Sequence, residues 1–152
     1  MIRRDLVVET GIAAPAARVW DLVTDWERQR EWIPATRVRV VAGDGRSPGT
    51  VVVAVTGIGD VGAVDTMEVR EFAPGADGGG RVLVRHTGVL VRGDSTFDVE
   101  ALGPERCRFV WTEGLELPFG RLGALGWPLV KPVATAGFTL ALRRLARLSE
   151  RV

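Results

Sequence analysis

Cysteine is almost missing from this chain. Cys107 stands alone among 152 residues, which excludes an internal disulfide and a cysteine-built metal site. It falls in a strand-like stretch and reads as a buried, inert thiol. Histidine is as scarce: His86 is the single one. No Cys/His or Ser/His/Asp set lies at a spacing that suggests nucleophilic catalysis, and a metal site would need several unsupported carboxylates. No metal and no cofactor are therefore expected. Lys131 is the one lysine among 20 basic residues, set against 19 acidic ones for a net charge of +1. That balance leaves no global field for nucleic acid, and the arginines are spread among acids rather than massed. The arginine skew, with abundant Ala, Gly and Val, reads as codon usage in a GC-rich bacterial genome. Unbroken apolar runs fall short of the ~20 residues that span a bilayer. The start, "MIRRDLVVETGIAAP", alternates where a leader would be continuously apolar. A cytoplasmic chain without stable membrane insertion is the expectation. Repeats, linkers and low-complexity tracts are also missing, so residues 1–152 read as one domain, long enough to enclose a cavity.

What is present is a change of hydrophobic period along the chain. Leu6, Val8, Thr10 and Ile12 alternate as a strand with one buried face. Pro15 suits the opening turn of a helix, carried by Ala16, Val19, Trp20 and Val23. Asp25 is placed to cap a second short helix, "WERQREW", which Pro34 stops. Period two then predicts strands over 37–42, 50–56, 63–72, 81–87, 91–101 and 106–117. The Gly/Pro/Asp-rich connections between them are too short for crossover helices, so neighbours pair antiparallel. Helical periodicity returns over 129–150. Val130, Val133, Ala134, Gly137, Phe138, Ala141, Leu145 and Leu148 form its apolar stripe, and Pro132 falls in its first turn or kinks a helix begun nearer Arg121. The order is β-α-α-β-β-β-β-β-β-α.

A literal G-x-G-x-x-G occurs at Gly57, Gly59 and Gly62. A dinucleotide site would need a helix after the third glycine and an acid about 20 residues on. Here "AVDTMEVREF" alternates as a strand, and the count lands on "RVLVR". The glycines therefore make a hairpin turn, with no helix N-terminus to hold a pyrophosphate.

Three segments, "IAAPAARVWDLVTDWERQREWIP", "GVLVRGDSTFDVEALGPERCRFVWTEGLEL" and the ending "LALRRLARLSE", resemble the START-like helix-grip superfamily, in its SRPBCC, polyketide cyclase/dehydrase-like branch. The resemblance covers almost the whole chain but lies in fold signatures, not catalytic motifs. It implies an α+β fold: a curved antiparallel sheet of seven strands or so around a long C-terminal helix, with two short helices after the first strand. It also implies an apolar cavity between sheet and helix. Such proteins bind lipids, sterols, polyketides or quinones, and some cyclise or aromatise a ligand there.

Clean alternation puts Val82, Val84, His86, Phe97, Val99, Phe109, Trp111, Glu113 and Leu115 on one face. Arg81, Arg85, Thr87, Asp98, Glu100, Arg108 and Thr112 go to the other. The candidate ligand-binding set is Asp65, Met67, Val84, His86, Phe97, Phe109, Trp111, Glu113, Trp127, Ala134, Phe138 and Ala141. Plain core packing competes with ligand contact for the aromatic residues. Trp26 and Trp32 either close the short helices against the sheet or gate an entrance. His86 has three readings: a core histidine with one hydrogen bond, a ligand contact, or an acid–base group. Glu113 on an apolar face must pair, reach the rim or stay protonated; Arg85 or Arg92 could neutralise it at the rim only if the strand register departs from this alternation. His86 and Glu113 are the catalytic candidates if there is catalysis. Binding of a small hydrophobic molecule is the leading expectation. A polyketide cyclase/aromatase-like or dehydratase-like enzyme is the alternative, and a protein-interaction module comes third. A homodimer is compatible with all of these.

Overall fold

A computed structural model describes residues 2–59, 61–88, 91–117 and 119–151. Seven strands form one antiparallel sheet in the order β1-β7-β6-β5-β4-β3-β2. They are β1 (Ile2–Ile12), β2 (Thr36–Ala42), β3 (Val51–Ile58), β4 (Val61–Pro74), β5 (Gly80–Thr87), β6 (Arg92–Gly103) and β7 (Arg106–Leu117). From β2 to β7 each strand turns back on its predecessor, as the short connections require, and β1 closes the row beside β7. Irregular registers at Val40/Ala42, Val69/Glu71 and Ala101/Gly103 supply the local bends that let a sheet curve. On the convex face, charges pair across strands: Arg81 with Asp98, Arg85 with Asp94 and Arg108 with Glu100.

The glycine motif lies in the β3–β4 hairpin, where Gly57 pairs with Gly62 and Ile58 with Val61. A Cβ on Gly57 would stand 2.1 Å from the Val61 carbonyl oxygen, so close strand approach dictates that glycine. Gly59 takes φ +61° at the turn, the left-handed region that favours glycine.

Between β1 and β2 lie α1 (Ala16–Thr24) and a 3-10 segment, Trp26–Glu31. Pro15 stands one residue before α1, and its carbonyl accepts from the amides of Arg18 and Val19. Val19 and Trp20 are buried, with the Trp20 ring 5.3 Å from Phe72. The capping expected of Asp25 is corrected: its side chain makes no cap bond. Its backbone carbonyl receives Arg28 N–H instead, at 3.1 Å, as the tighter 3-10 pattern needs.

The last helix, α2 (Arg121–Glu150), begins eight residues before the sequence pattern suggests, with Pro128 and Pro132 both inside it. Each proline leaves a carbonyl one turn back without its usual donor. The C-terminal half packs on β1 and α1 and buries Ala141, Leu142 and Leu145 completely or nearly so. The first half is mostly exposed, Leu122, Leu125, Leu129, Val130 and Val133 included. The expected stripe is therefore corrected at Val130 and Val133, which lie where the helix has run past its packing partners. By length and composition α2 is also apolar enough to cross a bilayer, though the stretch in question is little buried here. Counting unbroken apolar runs misses this, because Lys131 interrupts the sequence.

The core lies on the concave face. Trp32 is fully buried and packs its ring 5.8–6.0 Å from Phe97, Phe109 and Trp111. This closes the helical segment against the sheet. Cys107 is buried too, and burial pushes its thiol pKa up, consistent with an inert group.

Candidate functional site

Four neighbouring strands each send one polar side chain to the concave face. Met67 on β4 pairs with His86 on β5, Val84 pairs with Ser95 on β6, and Ser95 pairs with Glu113 on β7. Asp65 stands two residues before Met67 and so shares its face. The result is a continuous row, Asp65–His86–Ser95–Glu113, crossing the sheet. His86 Nδ1 lies 3.0 and 2.8 Å from the two Asp65 carboxylate oxygens. Its Nε2 lies 2.6 Å from Ser95 Oγ and 3.2 Å from Glu113 Oε2. The Ser95 hydroxyl donates to Glu113 Oε2, and Trp111 Nε1–H donates to Glu113 Oε1 at 2.7 Å. The expected rim partners of Glu113 are corrected: Arg85 pairs with Asp94 and Glu116, and Arg92 is exposed.

Burial alone would lower the His86 pKa. Hydrogen bonds to Asp65 and Glu113, and their negative charges, outweigh it and raise the value from 6.5 to about 10. Acceptors on both sides of one ring favour the doubly protonated form. His86 and Glu113 have little exposed area, whereas the Asp65 side chain keeps 21% of its surface open.

This row forms one wall of a cavity of about 410 Å³ between the sheet and α2, within the ~300–1,000 Å³ of small-molecule sites. Of the sequence candidates, Asp65, Met67, Val84, His86, Phe97, Trp111, Glu113, Ala134 and Phe138 line it. Three do not. Phe109 is fully buried behind Phe97 and Trp32. Ala141 lies where α2 already touches the core. Trp127 is buried but stands apart from the cavity lining. Trp26 lines the space while its Nε1 donates to the Gly45 carbonyl at 2.8 Å.

Sequence reasoning missed Ser95, although period two from Phe97 and Val99 places it on the same face. It also missed Thr36 and Thr56, whose hydroxyls meet at 2.9 Å on β2 and β3 and also line the cavity. Gln29, held to the Val23 carbonyl, was hidden in a segment read only for its tryptophans. Among the described residues, no group of three or more His, Cys, Asp and Glu is arranged to hold a metal ion. What this row can do is hold a proton at the wall of a mostly apolar, partly open cavity and offer the Asp65 carboxylate to an occupant.

The architecture is shared with solved structures. An aromatase/cyclase from Streptomyces sp. R1128 superposes with a TM-score of 0.78 at 18% identity, covering 99% of this chain and 95% of that one. A START superfamily protein from Mycobacterium smegmatis gives 0.73 at 19%, covering 96% and 97%. Norcoclaurine synthase from Thalictrum flavum, in complex with dopamine and hydroxybenzaldehyde, gives 0.67 at 14%, covering 97% and 86%. At such identities the likeness is one of fold. No curated protein matches the sequence significantly. The family described as polyketide cyclase/dehydrase and lipid transport matches residues 3–150. The chain therefore belongs to the polyketide cyclase/dehydrase and lipid transport family.

Proposed function

We propose that the protein binds a small hydrophobic molecule, of lipid, polyketide or quinone type, in the cavity beneath α2. The observation that carries this reading is the enclosure itself: a space of about 410 Å³ walled by Met67, Val84, Phe97, Trp111 and Phe138, with one ionisable row at its side. A site of this composition gains affinity from apolar burial and orientation from few polar contacts. The candidate residues that line the cavity are the proposed contacts, and Asp65 orients the ligand's polar end. Native mass spectrometry of the purified protein, with thermal shift against a lipid and polyketide panel, tests it. A co-purifying compound or a rise in melting temperature is expected. The absence of both a bound compound and any shift would contradict it.

A second reading is favoured by the row's chemistry: an aromatase/cyclase-like or dehydratase-like enzyme. His86 holds its proton beside two carboxylates at a mostly apolar wall, where the burial of His86 and Glu113 strengthens charge effects. Both ring nitrogens are occupied, so protons would reach a ligand through Asp65. His86→Ala and Glu113→Gln variants that keep full turnover would remove this reading. The protein is proposed to work in the cytoplasm without inserting in membranes. The exposed apolar first half of α2 is the proposed face for a second copy; sedimentation reads whether a dimer forms.

A further inference from the structure

The charge of the polar row follows from counting protons. Three contacts in series each need one: Asp65 to His86 Nδ1, His86 Nε2 to Ser95 Oγ, and Ser95 Oγ to Glu113. The serine hydroxyl supplies one, and a neutral imidazole supplies another. The third must be an added proton, carried by Asp65, by the imidazole or by Glu113. In every case two carboxylates share one added proton, and the row carries a net charge of −1. Trp111 Nε1–H on Glu113 Oε1 favours the carboxylate there, and an imidazole is a stronger base than a carboxylate such as that of Asp65, which leaves the proton on the ring. The sum does not depend on that choice.

Nothing along the cavity wall offsets the charge. Among the described residues no arginine or lysine lines the space, and Arg85 is committed to Asp94 and Glu116. The open member of the row is Asp65. It accepts hydrogen bonds and, as a carboxylate, has none to give. Trp26, Phe97, Trp111 and Phe138 also line the wall, and aromatic faces attract cations.

We propose that the cavity selects apolar ligands whose polar end is a cation or a hydrogen-bond donor, an amine or hydroxyl seated on Asp65, and rejects those ending in a carboxylate or phosphate. This rests on the ligand-binding reading above and narrows it. An anion would sit against a like charge in a mostly apolar pocket, with no cationic side chain among the described lining residues to receive it. A donor fills the open acceptor positions of Asp65 without disturbing its bond to His86.

Calorimetric titration with four compounds sharing one ring system tests this: naphthylethylamine, naphthylethanol, naphthylacetate and ethylnaphthalene. The amine and the alcohol are expected to bind at least ~10-fold more tightly than the carboxylate. Asp65→Asn, which removes the exposed carboxylate at the ligand's polar end but keeps the side-chain shape, is expected to shrink the gap between amine and carboxylate to within about 3-fold. If ethylnaphthalene binds and the carboxylate equals or exceeds the amine in wild-type protein, the selectivity is overturned while the cavity reading stands. If none of the four binds, both fall. The wild-type comparison decides the matter even if the variant does not fold.

Discussion

His86 is the residue on which most of the site depends. With acceptors on both ring nitrogens, it is held as a cation between Asp65 and Glu113. Its pKa in the folded protein is raised from 6.5 to about 10. A raised folded-state value means that the stability from this ionisation is complete below pH 6.5. It is lost as the pH climbs through about 10. The imidazole resonances should therefore show a protonated ring at pH 8, and melting temperature should decline across the alkaline range. A ring that titrates near 6.5 would contradict the geometry. His86→Ala leaves two carboxylates without the cation between them, and urea denaturation should register a loss of about 3–5 kcal/mol. A variant within ~1 kcal/mol of wild type would mean the row is not charged in this way.

The elements differ in how well they could be read in advance. Alternation in β5, β6 and β7 was legible, because one face is apolar and the other carries the Arg81–Asp98 and Arg108–Glu100 pairs. It placed His86, Trp111 and Glu113 inward. It could not show that Asp65 and His86 meet, because that contact is diagonal across a strand pair whose register the sequence does not reveal. The start of α2 was ambiguous for another reason: Pro132 fits either the first turn of a helix over 129–150 or the interior of one begun nearer Arg121, and the helix takes the longer course through Pro128 and Pro132. Those prolines, with the exposure of Leu122, Leu125 and Leu129, make the first half the weaker part. Amide exchange should be markedly faster over 122–135 than over 138–149. Equal protection would overturn that division. In the β3–β4 hairpin, Gly57→Ala forces a Cβ against the Val61 carbonyl and should cost ~1–3 kcal/mol by thermal denaturation. A neutral effect would show that the strands are further apart.

At the scale of the molecule, the curved sheet touches α2 through its C-terminal half and leaves space beneath the middle. Element order alone could suggest such a gap, but its volume depends on the bends at Val40/Ala42, Val69/Glu71 and Ala101/Gly103, which carry no sequence signature. Alternation put Phe109 on the concave face and small size put Ala141 opposite it, but neither could tell cavity wall from solid core, where both lie. Gly137 offers the cleanest probe of the void. It lines the cavity, and a Cβ built on it meets nothing within 4 Å. Leucine there would project into empty space and also improve helix propensity by roughly 0.5–1 kcal/mol. The decisive measurement is calorimetric binding of naphthylethanol to wild type and to Gly137→Leu, with the melting temperature of each. Binding weakened by at least ~10-fold at an unchanged or higher melting temperature is the predicted result. Undiminished binding, or the destabilisation of an overpacked core, would show that no ligand-sized hollow lies beneath the helix.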